Sequence, residues 1–111
     1  MAIAVFVQDG EFIDYTPVDA VAAGDVVVQS ELIGVAKRDI PEGVLGSLAL
    51  VGVFDIAKIA ATALAVGTVV YWDTTAKVAT NTSNSGANKL LGKVVQAALA
   101  DDATVRVRLS P

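Results

Sequence analysis

Cysteine and histidine are both absent from the 111 residues. Without thiols there is no disulfide framework and no thiolate metal site. Without imidazole the commonest general base and metal ligand is missing. Aromatics are scarce, with three Phe, two Tyr and one Trp. No uninterrupted apolar run approaches the eighteen or so residues of a membrane-spanning helix. Met1 to Val5 is apolar but has no basic segment before it and soon meets Gln8-Asp9-Gly10, which does not fit a secretion leader. The expectation is a soluble protein made in the cytoplasm. Positive charge is also short: 8 Lys and Arg stand against 12 Asp and Glu, a net charge of −4. Proteins that grip a phosphate backbone concentrate basic residues, and here only Lys37-Arg38 and the Arg106/Arg108 pair lie close together, so no nucleic-acid partner is expected.

Aliphatic surface is what the chain has in excess. Hydrophobic residues make up 54% and charged residues 18%, against roughly half and a quarter in ordinary domains. A chain of this length affords one core, so residues 1–111 read as a single domain. So much apolar surface exceeds what one small interior hides, and large exposed apolar patches are uncommon on monomers. Burial by further subunits is therefore expected.

The pattern along the chain is that of an all-β protein, a small barrel or sandwich with glycine-punctuated strands and at most one short helical turn. Ala2 to Gln8 is β-prone, Asp9-Gly10 tolerates positive φ, and Glu11 to Thr16 resumes the pattern, which predicts a hairpin. Residues 1–8 could equally form an extended N-terminal arm. Val26 to Gln29 and Leu32 to Lys37 follow as strands, and Gly34 inside the second signals a bulge or a close backbone approach. Ser47 to Phe54 is apolar on both faces and predicts one core strand, inside a closed barrel or under a subunit interface. Asp55 to Val66 fits either a helix or an extended start with a loop or single helical turn; the missing capping box favours the latter.

Gly67 to Asp73 and Lys77 to Thr80 read as a hairpin, and Asn81 to Asn88 as an exposed, disorder-prone loop. Leu90 to Ala97 is a further strand, and the alternation of Thr104 to Leu109 buries Val105, Val107 and Leu109 while leaving both Arg wet. A faint internal echo runs through the chain. AAGDVVV resembles AVGTVVY, and LIGVA resembles LLGKV, with the Asn/Ser loop inserted in the second copy.

Chemical sites are few. Asp101-Asp102 reads as a solvated turn, and Asp9, Glu11 and Asp14 match no metal-loop spacing. Gly86 to Gly92 followed by Lys93-Val94 fails the phosphate-binding loop pattern in spacing, hydroxyl and strand-to-helix context. No catalytic residue, cofactor, metal or small-molecule substrate is expected. Two recognition features remain. Tyr71 and Trp72 carry polar handles on apolar bodies and suit burial within the subunit or a subunit interface. Ala2, Ile3, Ala4, Val5 and Phe6 form an apolar terminus able to add as a strand to a partner's sheet.

Taken in order, QDG at 8–10, IDYTP at 13–17, VAAGDVVV at 21–28, IGVAKRDIPEGVLGSLALVGVFDI at 33–56, GTVVYWD at 67–73 and DATVRVRL at 102–109 resemble one family. It is the small capsid decoration, or cement, proteins of bacteriophages and prophages. Ile56-Ala57-Lys58 departs from the family pattern, which places a proline near position 57. Some members carry an inherited recombinase label, which the missing phosphate loop and the short chain contradict. The resemblance implies a mostly β virion protein on the outer face of the head, commonly trimeric, that reinforces contacts between major capsid protein subunits. Within that reading, Ala2 to Phe6 with Asp9 and Gly10 is expected to face the capsid, while the residues themselves place Tyr71 and Trp72 either in the subunit core or at a subunit interface. Another virion component, such as a head-fibre base or tail ring protein, is the alternative.

Overall fold

A computed structural model describes residues 3–109, and its regular structure is β throughout except for one 3-10 turn at Asn84–Gly86. The strands are β1 (Phe12–Tyr15), β2 (Val26–Gln29), β3 (Leu32–Val35), β4 (Gly46–Ala49), β5 (Val53–Ala57), β6 (Val69–Asp73), β7 (Val78–Thr80), β8 (Lys89–Gln96) and β9 (Thr104–Leu109). They form two antiparallel sheets, ordered β1-β4-β3-β2 and β5-β9-β8-β6-β7. Residues just after β5 meet β7 through a single bridge, Lys58 to Ala79, with the Ile59 N–H donating to the Ala79 carbonyl at 2.9 Å. One bridge is not a ladder, so the second sheet does not close into a barrel. The sandwich alternative is the one the fold allows.

Asp55 to Val66 is extended through β5 and then a loop, so the helical alternative for that segment is not taken. The run from Ser47 to Phe54 is two strands rather than one. It leaves the first sheet after Ala49, breaks at Leu50 to Gly52, and enters the second sheet at Val53. Gly52 sits at φ +134°, and its carbonyl accepts from the Leu109 N–H at 2.9 Å. The run is apolar on both faces because it serves two sheets in succession.

Nor does the Asp9-Gly10 hairpin form. β1 pairs instead with β4, Ile13 opposite Leu48 and Tyr15 opposite Gly46. That pairing packs Ile13 and Tyr15 against buried Ala36, Ile40 and Leu48, at about 1.5–3 kcal/mol for each large apolar side chain fully buried. A hairpin with residues 3–8 offers no such floor, and the long-range pairing wins over the local turn signal.

The internal echo is the framework of the fold. Without β7, the second sheet has the strand order of the first, with β5, β6, β8 and β9 in the places of β1, β2, β3 and β4. Val21 and Ile40 exchange two backbone hydrogen bonds at 2.9 and 2.7 Å; Leu64 and Ala98 do the same at 2.9 Å each. The turn Ala22 to Asp25 closes with Asp25 N–H on Ala22 O at 3.0 Å, and Ala65 to Thr68 with Thr68 N–H on Ala65 O at 3.2 Å. Each turn holds a glycine in the left-handed region, Gly24 at +91° and Gly67 at +88°, where a side chain would be strained. Gly34 lies opposite Val27 and Gly92 opposite Val70, while Phe12 opposes Ala49 as Phe54 opposes Val107. The second copy differs by the insertion that carries β7 and the 3-10 turn.

The main core joins the two copies. Ile33 and Val35 of β3 pack in one buried cluster with Ile56, Leu64, Val70, Trp72, Leu91, Val94, Val105, Val107 and Leu109. Val105, Val107 and Leu109 are buried and the arginines between them exposed, as the alternation of β9 requires. The Asn/Ser loop is tightly folded: the Ser83 carbonyl accepts from Gly86 and Asn88, and the Asn88 side chain is buried with Nδ2 donating to the Thr82 carbonyl at 3.0 Å.

Candidate interaction surface

Ala2 lies outside the described residues. From Ile3 to Asp9 the chain is exposed and joins no sheet; Ile3 is 103% exposed, Phe6 79% and Val7 82%. Among the described residues its one side-chain tie is Gln8 Nε2 donating to the Phe12 carbonyl. Gly10 turns the chain into β1 at φ +83°. The segment is thus uncharged and β-prone in sequence up to Asp9, and pairs with neither sheet.

Where the arm enters the body there is a cleft of about 740 Å³ lined by Phe12, Asp14, Lys37, Arg38, Val44 and Leu45 among others. Lys37 Nζ stands 5.2 Å from the centre of the Phe12 ring, a cation–π distance. Phe12, Val44 and Leu45 are exposed, so apolar surface continues from the arm onto the body.

A second groove, of about 570 Å³, runs between the two sheets. Val26, Val27 and Val28 of β2 form one wall, Phe54 to Ala57 of β5 the other, and Val35, Trp72, Thr74 and Lys77 complete it. β2 and β5 are both outermost strands, so each presents a row of backbone groups without a ladder partner. Tyr71 and Trp72 point to opposite faces of β6. Trp72 is buried in the main core and also lines this groove, whereas Tyr71 is half-buried. The groove walls escaped the sequence reading because a strand's position at a sheet edge is a property of topology and leaves no mark in its own residues.

Charge on the body is largely local and structural. Arg106 grips Asp55 across the β5–β9 ladder, Nε to Oδ1 at 2.9 Å and Nη2 to Oδ2 at 3.2 Å, while Nη1 donates to Gln96 Oε1 at 2.8 Å. The Arg106 hydrogen bonds hold the Asp55 carboxyl below its ordinary range. Glu31 pairs with Lys89 at 2.9 Å, linking the β2–β3 turn to β8. Asp102 accepts from the Leu99 N–H at 2.8 Å and shapes its own turn. Among the described residues no group of three or more acidic side chains is arranged to hold a metal ion, so Asp9, Glu11 and Asp14 are not brought together.

Lys58 is the buried ion that sequence reading missed. Only 5% exposed, it donates from Nζ to the carbonyls of Ile59 at 2.9 Å and Ala100 at 3.0 Å. Its chemistry is that of a clamp between two loops. No helix among the described residues is long and apolar enough to cross a membrane.

Compared with known proteins, residues 7–109 match the family model described as phage cement protein. No curated protein and no solved structure matches the chain.

Proposed function

Because this chain belongs to the phage cement protein family, a capsid-associated structural family, we propose that it binds the outside of an assembled phage head and stabilises contacts between major capsid protein subunits. The observation that carries this reading is the arm. An exposed, uncharged, β-prone segment outside both sheets is equipped to extend a partner's sheet, with main-chain hydrogen bonds for affinity and alternate side chains for register. Ala2 to Phe6, with Asp9 and Gly10 at its root, is the proposed capsid contact. The exposed Phe12, Val44 and Leu45 extend it onto the body.

The protein acts as a homotrimer in this reading, with Tyr71 and Trp72 at or beside the contacts between subunits. Three copies held together bind a shell by avidity, so each contact can be modest while the assembly resists the pressure of packaged DNA. The role is one of interface free energy, with no catalytic step. Deletion of Ala2 to Phe6 tests it: binding to shells that lack the protein should be lost in a sedimentation assay. Undiminished binding would remove the arm from the capsid contact.

A further inference from the structure

The two copies of the strand framework treat one position differently. In the second copy the outer edge of β6 is covered by β7, Tyr71 opposite Thr80 and Trp72 opposite Ala79. Among the described residues, the equivalent strand of the first copy, β2, has no strand on its outer side and looks instead across the groove toward β5. The molecule therefore contains one filled and one open version of the same edge. We propose that, in protein free of a shell, this open edge is filled by the N-terminal arm, residues Ile3 to Val7, of a second copy.

The filled version shows what the edge accepts. β7 is Val78-Ala79-Thr80, uncharged, with a small residue between two β-branched ones, and Ala79 and Thr80 are almost wholly buried. Ile3-Ala4-Val5 repeats that pattern, and Phe6-Val7 continues it without charge. The groove meets it with Val26, Val28, Phe54 and Ile56.

The arm cannot dock over its full length, Ile3 to Val7, from the same chain. It leaves through β1, at the opposite edge of the first sheet from β2. At about 4.8 Å per strand, the position outside β2 is roughly 19 Å from β1. The five steps from Phe12, where β1 begins, back to Val7 span at most about 18 Å, so Val7 falls short of that edge and only the tip of the arm comes within reach of its own β2. A second copy has no such limit, and donation from each arm to the next groove is a head-to-tail contact, which makes a ring where the rotation between copies closes. Docking also removes from solvent two hazards at once, an uncharged apolar arm and an unguarded edge of three valines. Trp72 also lines the groove. This inference rests on the arm being a strand donor, and the shell competes with the neighbouring copy for the same segment.

The chain has no cysteine, so introduced pairs report cleanly. Single variants Ala4→Cys, Val5→Cys and Phe6→Cys, each mixed with Val27→Cys under oxidising conditions without shells, should give a disulfide-linked dimer. At least one pair should form about tenfold faster than the same arm cysteines with Leu45→Cys on the exposed cleft, because docking raises the local concentration. No preference over Leu45→Cys overturns the proposal. So does a link that forms only within a double variant's own chain. Hydrogen exchange gives a measurement free of groove variants: Val26 to Gln29 amides should exchange more slowly in the full chain than after deletion of residues 2–6, and equal rates overturn the proposal. Shell binding without the disulfide leaves the proposed function standing and this inference failed; the disulfide without shell binding does the reverse.

Discussion

Gly92 lies so close to Arg108 that a Cβ on the glycine would stand 2.0 Å from the Arg108 carbonyl oxygen. β8 and β9 meet here in register, Gly92 opposite Leu109, and a backbone oxygen cannot rotate aside. The equivalent glycine of the first copy, Gly34, is less crowded, with Leu48 Cβ at 3.0 Å and the Ala49 carbonyl oxygen at 3.1 Å. Gly92→Ala should therefore cost about 3 kcal/mol or more, and Gly34→Ala about 1–2 kcal/mol. Urea unfolding of the two variants checks the ranking. Equal costs would contradict the closer approach at Gly92.

Lys58 ties the loop after β5 to the loop before β9 through the carbonyls of Ile59 and Ala100. Lys58→Met keeps the apolar stem and removes both donors, leaving two carbonyls short of a partner. Relief from burying a charge offsets part of the loss, and a net destabilisation of about 2 kcal/mol is expected. Chemical denaturation measures it, and a variant as stable as the parent would show the clamp to be dispensable.

The Asp55–Arg106 pair sets a pH dependence. The folded-state pKa of Asp55 is depressed, chiefly by its hydrogen bonds from Arg106. Its stabilisation is therefore fully present above the unfolded carboxylate range and is lost as pH falls through the folded value, that is, below about pH 4. The pair is exposed and screened, so its contribution is small. The stability difference between the parent and Asp55→Asn should shrink as the pH is lowered from 6 toward 2. A difference that stays constant across that range would contradict the assignment.

β9 was legible because one face is core and the other solvent, so Thr104 to Leu109 alternates without exception. The glycines and the AAGDVVV/AVGTVVY echo were legible because the repeated turn needs the left-handed residue at Gly24 and again at Gly67. Local signals failed where distant partners decide. Asp9-Gly10 has the chemistry of a hairpin turn, yet β1 gains more by lying on β4 over Leu48. Ser47 to Phe54 looks continuous because nothing in SLALVGVF marks the change of sheet except Gly52. At the candidate surface, the apolar arm stands out in sequence because its residues are many and uncharged. The groove beside β2 does not, since Val26 to Val28 would look the same in the middle of a sheet.

Sedimentation of the purified full chain with expanded shells assembled without it bears most directly on the cement role. Saturable co-sedimentation that levels off near one copy per major capsid protein subunit, together with slower disruption of the decorated shells by heat or denaturant, is the expected result. Absence of binding at any protein concentration, with the undecorated and treated shells equally fragile, would contradict it.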